Sequence, residues 1–107
     1  MNVVLLTARD PLRAGDGAHA LRLAAELAGQ GHDVVLALLE DAVVAARSTH
    51  AAGPDVEVAI GKGVRVVAED EALARRGIAA LRDGLEPASM GEVTELLLGW
   101  SDRQAWV

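Results

Sequence analysis

The chain has 107 residues, no cysteine and a formal net charge of −6. A chain of this length fits one domain, which buries roughly two-thirds of the surface that the unfolded chain exposes. The absence of cysteine excludes disulfides, thiolate metal sites and persulfide carriage on this chain. The negative charge argues against nucleic acid and anionic membranes as partners, because both bind basic surfaces.

The amino-terminal segment does not have the pattern of an export signal. Residues 1–8 are apolar, but no positively charged region precedes the apolar run, and Arg9 and Asp10 follow it directly. No later segment approaches the roughly 18 uninterrupted apolar residues of a membrane span. We therefore expect a cytoplasmic protein.

The first part of the sequence predicts a β-α-β unit. Residues 2–8 form a continuous apolar run, which is typical of a strand covered on both faces in a parallel sheet. Residues 18–27 are rich in alanine and leucine and predict a helix with a buried stripe. The stripe consists of Leu21, Ala24, Ala25 and Ala28. Gly29 and Gly31 end the helix, and the apolar run at 34–39 predicts a second buried strand.

The middle of the chain is less regular. Asp41 is placed to cap a helix that covers Ala42 to about Ser48. In residues 49–62, the alternation of VEVAI is typical of a short edge strand, but the flanking glycines and Pro54 also allow a short helix. The residues alone leave both structures open.

The second half continues the alternation of strands and helices. Residues 64–68 predict a third strand, and Asp70 to Arg76 a helix that Gly77 ends. Residues 78–88 form a weakly helical or loop segment, in which Pro87 restricts any strand to an edge or an end.

The last helix has the clearest local signal. Ser89 and Glu92 have the spacing of a capping box, in which each side chain accepts a hydrogen bond from the backbone of the other residue. Apolar residues then recur at helical spacing. These residues are Val93, Leu96, Leu97 and Trp100.

The final segment, residues 101–107, alternates as a strand does. Gln104 and Trp106 fall on one face of that strand, and Ala105 and Val107 on the other. Together with the preceding elements, this strand predicts a three-layer α/β/α fold with about five largely parallel strands. We expect a single domain that spans the whole chain.

Residues 63–78, GVRVVAEDEALARRGI, resemble the DsrE/DsrF/TusD group, whose members are small α/β proteins of sulfur relay systems. The shared pattern is a valine-rich strand, one special residue, a short helix, and Arg-Arg-Gly-Ile at 75–78. Lesser similarities are Gly31-His32 before the second strand, Asp41 after it, and Asp102-Arg103 before the last strand.

The resemblance implies the fold without the activity. In active members of the group a cysteine lies six residues before the Arg-Arg-Gly, and this chain has Glu69 at that position. A carboxylate cannot form a persulfide. The resemblance also implies a helical or irregular segment at 49–62 and assembly into trimers or hexamers.

Glu69 is the first candidate site residue because of that position. It could contact a ligand, act as a general base or bind a metal ion, with Asp70 and Glu71 beside it. Alternatively, the three acids supply the N-cap and the negative charge that favour the start of a helix. Acids are common at helix starts, which favours the second interpretation.

Acidic residues also follow the other predicted strands. Asp10 follows the first strand, and Glu40 and Asp41 follow the second. They could converge with Glu69 on Mg²⁺, as in receiver domains, because the carboxyl ends of parallel strands meet at one edge. No lysine follows the last strand, as a receiver would require, and we predict no metal. The candidate ligand-binding residues are Asp10, Asp41, Glu69, Asp70 and Glu71.

Two further patterns carry weaker signals. Gly15 and Gly17 could cradle a phosphate at a helix start, but Asp16 would repel it, so a plain loop and no cofactor are predicted. The three histidines lack the spacing of a zinc site. His50 is the histidine of most interest because it lies in a long loop near the predicted site.

Trp100 and Trp106 are the only aromatic residues of the chain apart from histidine. They could pack the core under the last helix and strand, or form an oligomer interface, where tryptophan is enriched. Both residues are therefore interface candidates.

These observations predict a non-catalytic DsrE-like protein that acts as a binding or scaffolding subunit. It would form a homo-oligomer or accompany cysteine-bearing proteins of sulfur relay. The alternative is a small-molecule binding protein or enzyme with an acidic pocket around Glu69.

Overall fold

The structure, a computed structural model, describes residues 1–11 and 18–107. Its strands are β1 (Asn2–Thr7), β2 (Asp33–Leu38), β3 (Arg65–Glu69), β4 (Leu85–Ala88) and β5 (Arg103–Trp106). Within these residues they form one parallel sheet of five strands in the order β4-β3-β2-β1-β5. The predicted parallel α/β sheet is confirmed.

The helices are α1 (His19–Gly29), α2 (Gly53–Gly61), α3 (Asp70–Arg75) and α4 (Met90–Glu95). A 3₁₀ segment covers Glu40–Ala46, and a π turn, Leu96–Trp100, extends α4. The segment 49–62 therefore contains a helix, and the alternative of an edge strand is wrong. Across 1–11 and 18–107, none of these helices has the length and apolar character needed to cross a bilayer.

The three central strands are buried on both faces, which is why they read as continuous apolar runs in the sequence. From Val3 to Leu6 every side chain of β1 is buried, as is every side chain from Val34 to Leu38 in β2. Strands β4 and β5 lie at the two edges of the sheet. Pro87 lies in the edge strand β4, as predicted, because a proline cannot donate a hydrogen bond to a second neighbouring strand.

The sheet separates two hydrophobic clusters. On the first face, α1, α2, α3 and the 3₁₀ segment contribute buried residues that pack with alternate residues of the strands, such as Leu5 and Leu36. On the second face, Val4, Val35 and Val67 pack with α4 and its π turn. Leu21, Ala24 and Ala25 of the predicted α1 stripe are buried in the first cluster, whereas Ala28 is partly buried.

The predicted N-cap role of Asp41 is wrong. The turn that follows β2 is a 3₁₀ helix that starts one residue before Asp41, has Leu39 at its N-cap position, and has no side-chain cap. In this turn Ala42 donates its backbone N–H to the Leu39 carbonyl at 2.9 Å. Such i→i+3 bonds close a tighter turn than the predicted α-helix. The helical segment also ends at Ala46 rather than near Ser48.

The predicted capping box at the start of α4 is confirmed. The Ser89 hydroxyl accepts a hydrogen bond from the Glu92 backbone N–H at 3.0 Å, and the Glu92 carboxylate accepts one from the Ser89 N–H at 3.3 Å. The box fixes where the chain turns from edge strand β4 onto the second face of the sheet.

We expect Ser89→Ala to lower the free energy of unfolding by about 1 kcal/mol, because the Glu92 N–H loses its acceptor. The urea midpoint measures this loss. Thr94→Ala is the matched control within α4, since its hydroxyl bonds to the carbonyl of Met90 in the same helix. That control should change stability by less than about 0.5 kcal/mol. Equal effects of the two substitutions would contradict the capping assignment.

Candidate functional site

Glu69 is the last residue of β3 and the N-cap of α3, rather than a residue of an intervening loop. Its side chain is only 5% exposed. One carboxylate oxygen, Oε2, accepts a hydrogen bond from the Ala72 N–H at 3.0 Å. This geometry is that of an N-cap, as the capping interpretation predicts.

Asp70 and Glu71 follow in the first turn of α3, and both are exposed. Their negative charges lie at the positive end of the helix dipole, which is favourable but weak at a solvent-exposed position. Glu71 Oε2 lies 3.9 Å from Arg75 Nη1, one turn further along the helix. These two acids therefore have roles in helix stability that need no ligand.

The two arginines of the Arg-Arg-Gly-Ile motif connect α3 to the 3₁₀ segment. Arg76 donates from Nη2 to Asp41 Oδ1 at 2.7 Å and from Nη1 to the Ala72 carbonyl at 3.2 Å. Arg75 Nη2 lies 3.8 Å from Glu40 Oε2. The acids that follow β2 are thus paired with arginine.

The remaining residues of the motif end the helix. Gly77 has φ +65°, a conformation that glycine adopts without strain, and Ile78 donates its N–H back to the Leu73 carbonyl at 3.0 Å. The Ile78 side chain is buried in the first cluster. Arg76, Gly77 and Ile78 of the motif therefore have structural roles in this chain.

In the described part of the chain, no three acids or histidines come together as metal ligands. The phosphate-cradle pattern of Gly15 and Gly17 lies outside the described residues. Asp10 is the one acid of the candidate set that pairs with a histidine in the described contacts.

His50 is held in one orientation by two hydrogen bonds. Its Nδ1 accepts from the Ala52 backbone N–H at 3.0 Å, and its Nε2 lies 3.0 Å from Asp10 Oδ1. Because Nδ1 is an acceptor here, the ring proton of a neutral imidazole sits on Nε2 and is donated to Asp10. The sequence analysis named both residues separately, but no sequence pattern predicts a contact between residues 40 positions apart.

Arg82, which the sequence analysis missed, fixes the loop that carries His50. Its Nη2 lies 3.0 to 3.2 Å from the carbonyls of Arg47, Ser48 and His50. Its Nε is buried and has no hydrogen-bond partner among the residues that the structure describes. A side chain at Gly53 would approach Arg82 Nη1 to 2.7 Å, so the absence of a Cβ at Gly53 leaves room for the guanidinium.

A cavity of about 380 Å³ lies beside the His50–Asp10 pair. It opens where the sheet order reverses, between the carboxyl ends of β1 and β5, a place where α/β proteins commonly bind ligands. Among the described residues its walls include Thr7, Arg9, Asp10, His19 and Val107. Glu69 is not among these wall residues, so the predicted acidic pocket around Glu69 does not coincide with this cavity.

The two tryptophans differ in their surroundings. Trp100 is partly buried against the second hydrophobic cluster, whereas Trp106 is 67% exposed. Trp106 pairs in register with Leu6 and so projects to the second face of the sheet, as the predicted alternation requires. Core packing therefore describes Trp100 in part, and Trp106 has the exposure of an interface residue.

Comparisons with known proteins identify the fold. Neither the known family models nor the curated proteins include a match to this chain. The crystal structure of the YchN protein from E. coli is similar over 100% of both chains, with a TM-score of 0.87 and 24% sequence identity. The structure of MTH1491, a protein of unknown function from Methanobacterium thermoautotrophicum, is similar over 97% of both chains, with a TM-score of 0.77 and 18% identity. The chain therefore has the α/β fold of the YchN protein, with a parallel sheet of five strands in the described residues.

We expect Glu69→Ala to lower the free energy of unfolding by about 1 kcal/mol, because the first turn of α3 loses its cap. Chemical denaturation monitored by circular dichroism measures this loss. Glu71→Ala removes an exposed acid from the same turn and should change stability by less than about 0.5 kcal/mol. A destabilisation by Glu71→Ala as large as that by Glu69→Ala would show that the charge near the helix matters and the cap does not.

We expect Arg82→Lys to destabilise the protein by about 1–3 kcal/mol, because one ammonium group cannot reproduce the contacts of Nη2 with three carbonyls. Hydrogen exchange should accelerate most in residues 47–53. Arg75→Lys is the control, since Arg75 is 54% exposed in its side chain and makes long ion pairs. Unchanged exchange in the loop of Arg82→Lys would contradict the role of Arg82.

Proposed function

We propose that this protein is a non-catalytic binding or scaffolding subunit that assembles with copies of itself or with cysteine-bearing proteins of sulfur relay. The observation that carries the proposal is Glu69, because it occupies the nucleophile position of the resembled family as a buried helix cap. The chain has no cysteine that could replace that nucleophile.

The acids that could support a chemical role at the same edge are engaged in contacts within the fold. Asp41 pairs with Arg76, and Asp10 pairs with His50. Such pairs stabilise the arrangement of loops and leave less of their hydrogen-bonding capacity for a substrate. This supports a structural role for these two acids in holding the loops together.

The second face of the sheet supports assembly. All four residues of β5 are exposed, and β5 is an edge strand, whose outer backbone groups can pair with another chain. Trp106 adds a large apolar side chain to this edge, and Leu98 in the π turn is 82% exposed. Exposed tryptophan at an edge is typical of interface anchors. We therefore propose a homotrimer or homohexamer that buries Trp106.

A small-molecule function is the second candidate, and the cavity of about 380 Å³ favours it. Of the five acidic candidates, Asp10 is among the described wall residues of this cavity. Native mass spectrometry of gently purified protein separates the two candidates. A trimer or hexamer of bare chains supports the scaffolding function, and a reproducible excess mass that is lost in Asp10→Asn supports ligand binding in this cavity.

We expect Trp106→Gln to weaken self-assembly at least about 30-fold, as the loss of an interface anchor worth about 2 kcal/mol would do. Light scattering over a dilution series measures the assembly constant. Val58→Gln is the matched control, because Val58 is 53% exposed but lies on α2, which packs on the first face. A monomeric unmodified protein, or equal weakening by Val58→Gln, would contradict the proposed interface.

A further inference from the structure

A groove runs along α4 and its π turn on the second face of the sheet, from the starts of β2 and β3 to the end of β4. Two cavities of about 300 and 290 Å³ share the residues Arg65, Leu96 and Trp100 and together form this groove. Glu92 and Glu95 line one of the two cavities, and Asp33 lines the other. We refer to the two cavities together as the Trp100 groove.

The groove lies where α4 stops being a regular helix. The Ser101 N–H bonds to the Leu96 carbonyl at 2.9 Å, an i→i+5 bond that widens the last turn into a π turn. Gly99 lies within this turn, and a side chain there would meet only open space. Trp100 is therefore held between the second hydrophobic cluster and solvent. Single π turns of this kind occur frequently at functional sites.

The rim of the groove is acidic. Asp33, Glu92 and Glu95 are all exposed. Arg65, the one arginine among the described residues that line the groove, is paired with a further carboxylate, since its Nε and Nη2 each donate to Glu86 at 3.2 Å. An apolar floor of leucine and tryptophan beneath a surplus of carboxylates is complementary to a side chain that is apolar along its length and positively charged at its end.

We propose that the Trp100 groove binds a basic segment of a partner protein, in which a lysine or arginine lies next to an apolar residue. The apolar residue contacts Leu96, and the cation lies over the indole of Trp100 between the carboxylates of Glu92 and Glu95. Tryptophan is the best aromatic partner for a cation, and the carboxylates give the groove its preference for positive charge. The inference rests on the proposed function as a binding subunit and names the chemistry of its partner.

The experiment uses Trp100 as its own reporter. In Trp106→Phe the chain retains one tryptophan, so its emission reports on the groove alone. The probe is a capped peptide of alternating lysine and leucine, and the comparison peptide has glutamate in place of lysine. We expect a saturable change in Trp100 emission with the basic peptide only, and at least fivefold weaker binding in 0.5 M salt than at low ionic strength.

The matched variants separate the groove from the overall charge. In the double variant Glu92→Gln with Glu95→Gln, binding of the basic peptide should weaken about tenfold, while glutamine at position 92 preserves the capping box. The double variant Glu40→Gln with Glu71→Gln removes two exposed acids from the opposite edge of the sheet and should bind as well as the parent.

Three outcomes would overturn the proposal. They are an absence of saturable change, an equal response to the acidic peptide, and an equal loss in the two double variants. Native mass spectrometry of the unmodified protein, which retains Trp106, reports assembly independently of the emission. Loss of assembly with retained peptide binding would therefore refute the scaffolding function alone, whereas an intact oligomer without peptide binding would refute the groove alone.

Discussion

The hydrogen bond from the Ala72 N–H to the buried carboxylate of Glu69 fixes the point at which β3 ends and α3 begins. Helix α3 has only six residues, so its direction depends on its two ends more than on its own hydrogen bonds. With Gly77 ending the helix, the cap directs Arg75 and Arg76 toward the 3₁₀ segment that follows β2. The arrangement of two strand ends and two helical segments thus depends on the buried Glu69 carboxylate.

The sequence was sufficient for the elements that local patterns specify. Continuous apolar runs located the central strands because both faces of a parallel sheet are covered, and the capping box located α4 because both of its partners lie within one helical turn. The segment after β2 was predicted wrongly as an α-helix capped by Asp41. Its alanine and valine residues suit either helix type, and the Arg76 partner of Asp41 lies 35 positions away.

In the candidate site, too, local sequence patterns located some residues, and contacts between distant residues could not be predicted. The spacing to Arg75 located Glu69, and the structure places that residue at the junction between strand and helix. The contacts of Arg82 could not be predicted from the sequence, because its partners are backbone carbonyls, which every residue has. The pairing of His50 with Asp10 requires two loops to meet across the carboxyl edge of the sheet, which only the strand order determines.

The carboxyl edge of the sheet and its second face thus differ in the surface that another molecule could bind. At the carboxyl edge, charged groups pair with one another between loops, as Asp41 does with Arg76. On the second face, α4 and its π turn are the helical cover in the described part of the chain, and a single short helix leaves Trp106 exposed and Trp100 partly accessible. The exposed side chains of Trp106 and Leu98 and the acidic rim of the Trp100 groove therefore lie on the second face. That distribution supports the proposed binding function, because an accessible apolar surface gains free energy from a partner whereas paired charges lose it when they separate.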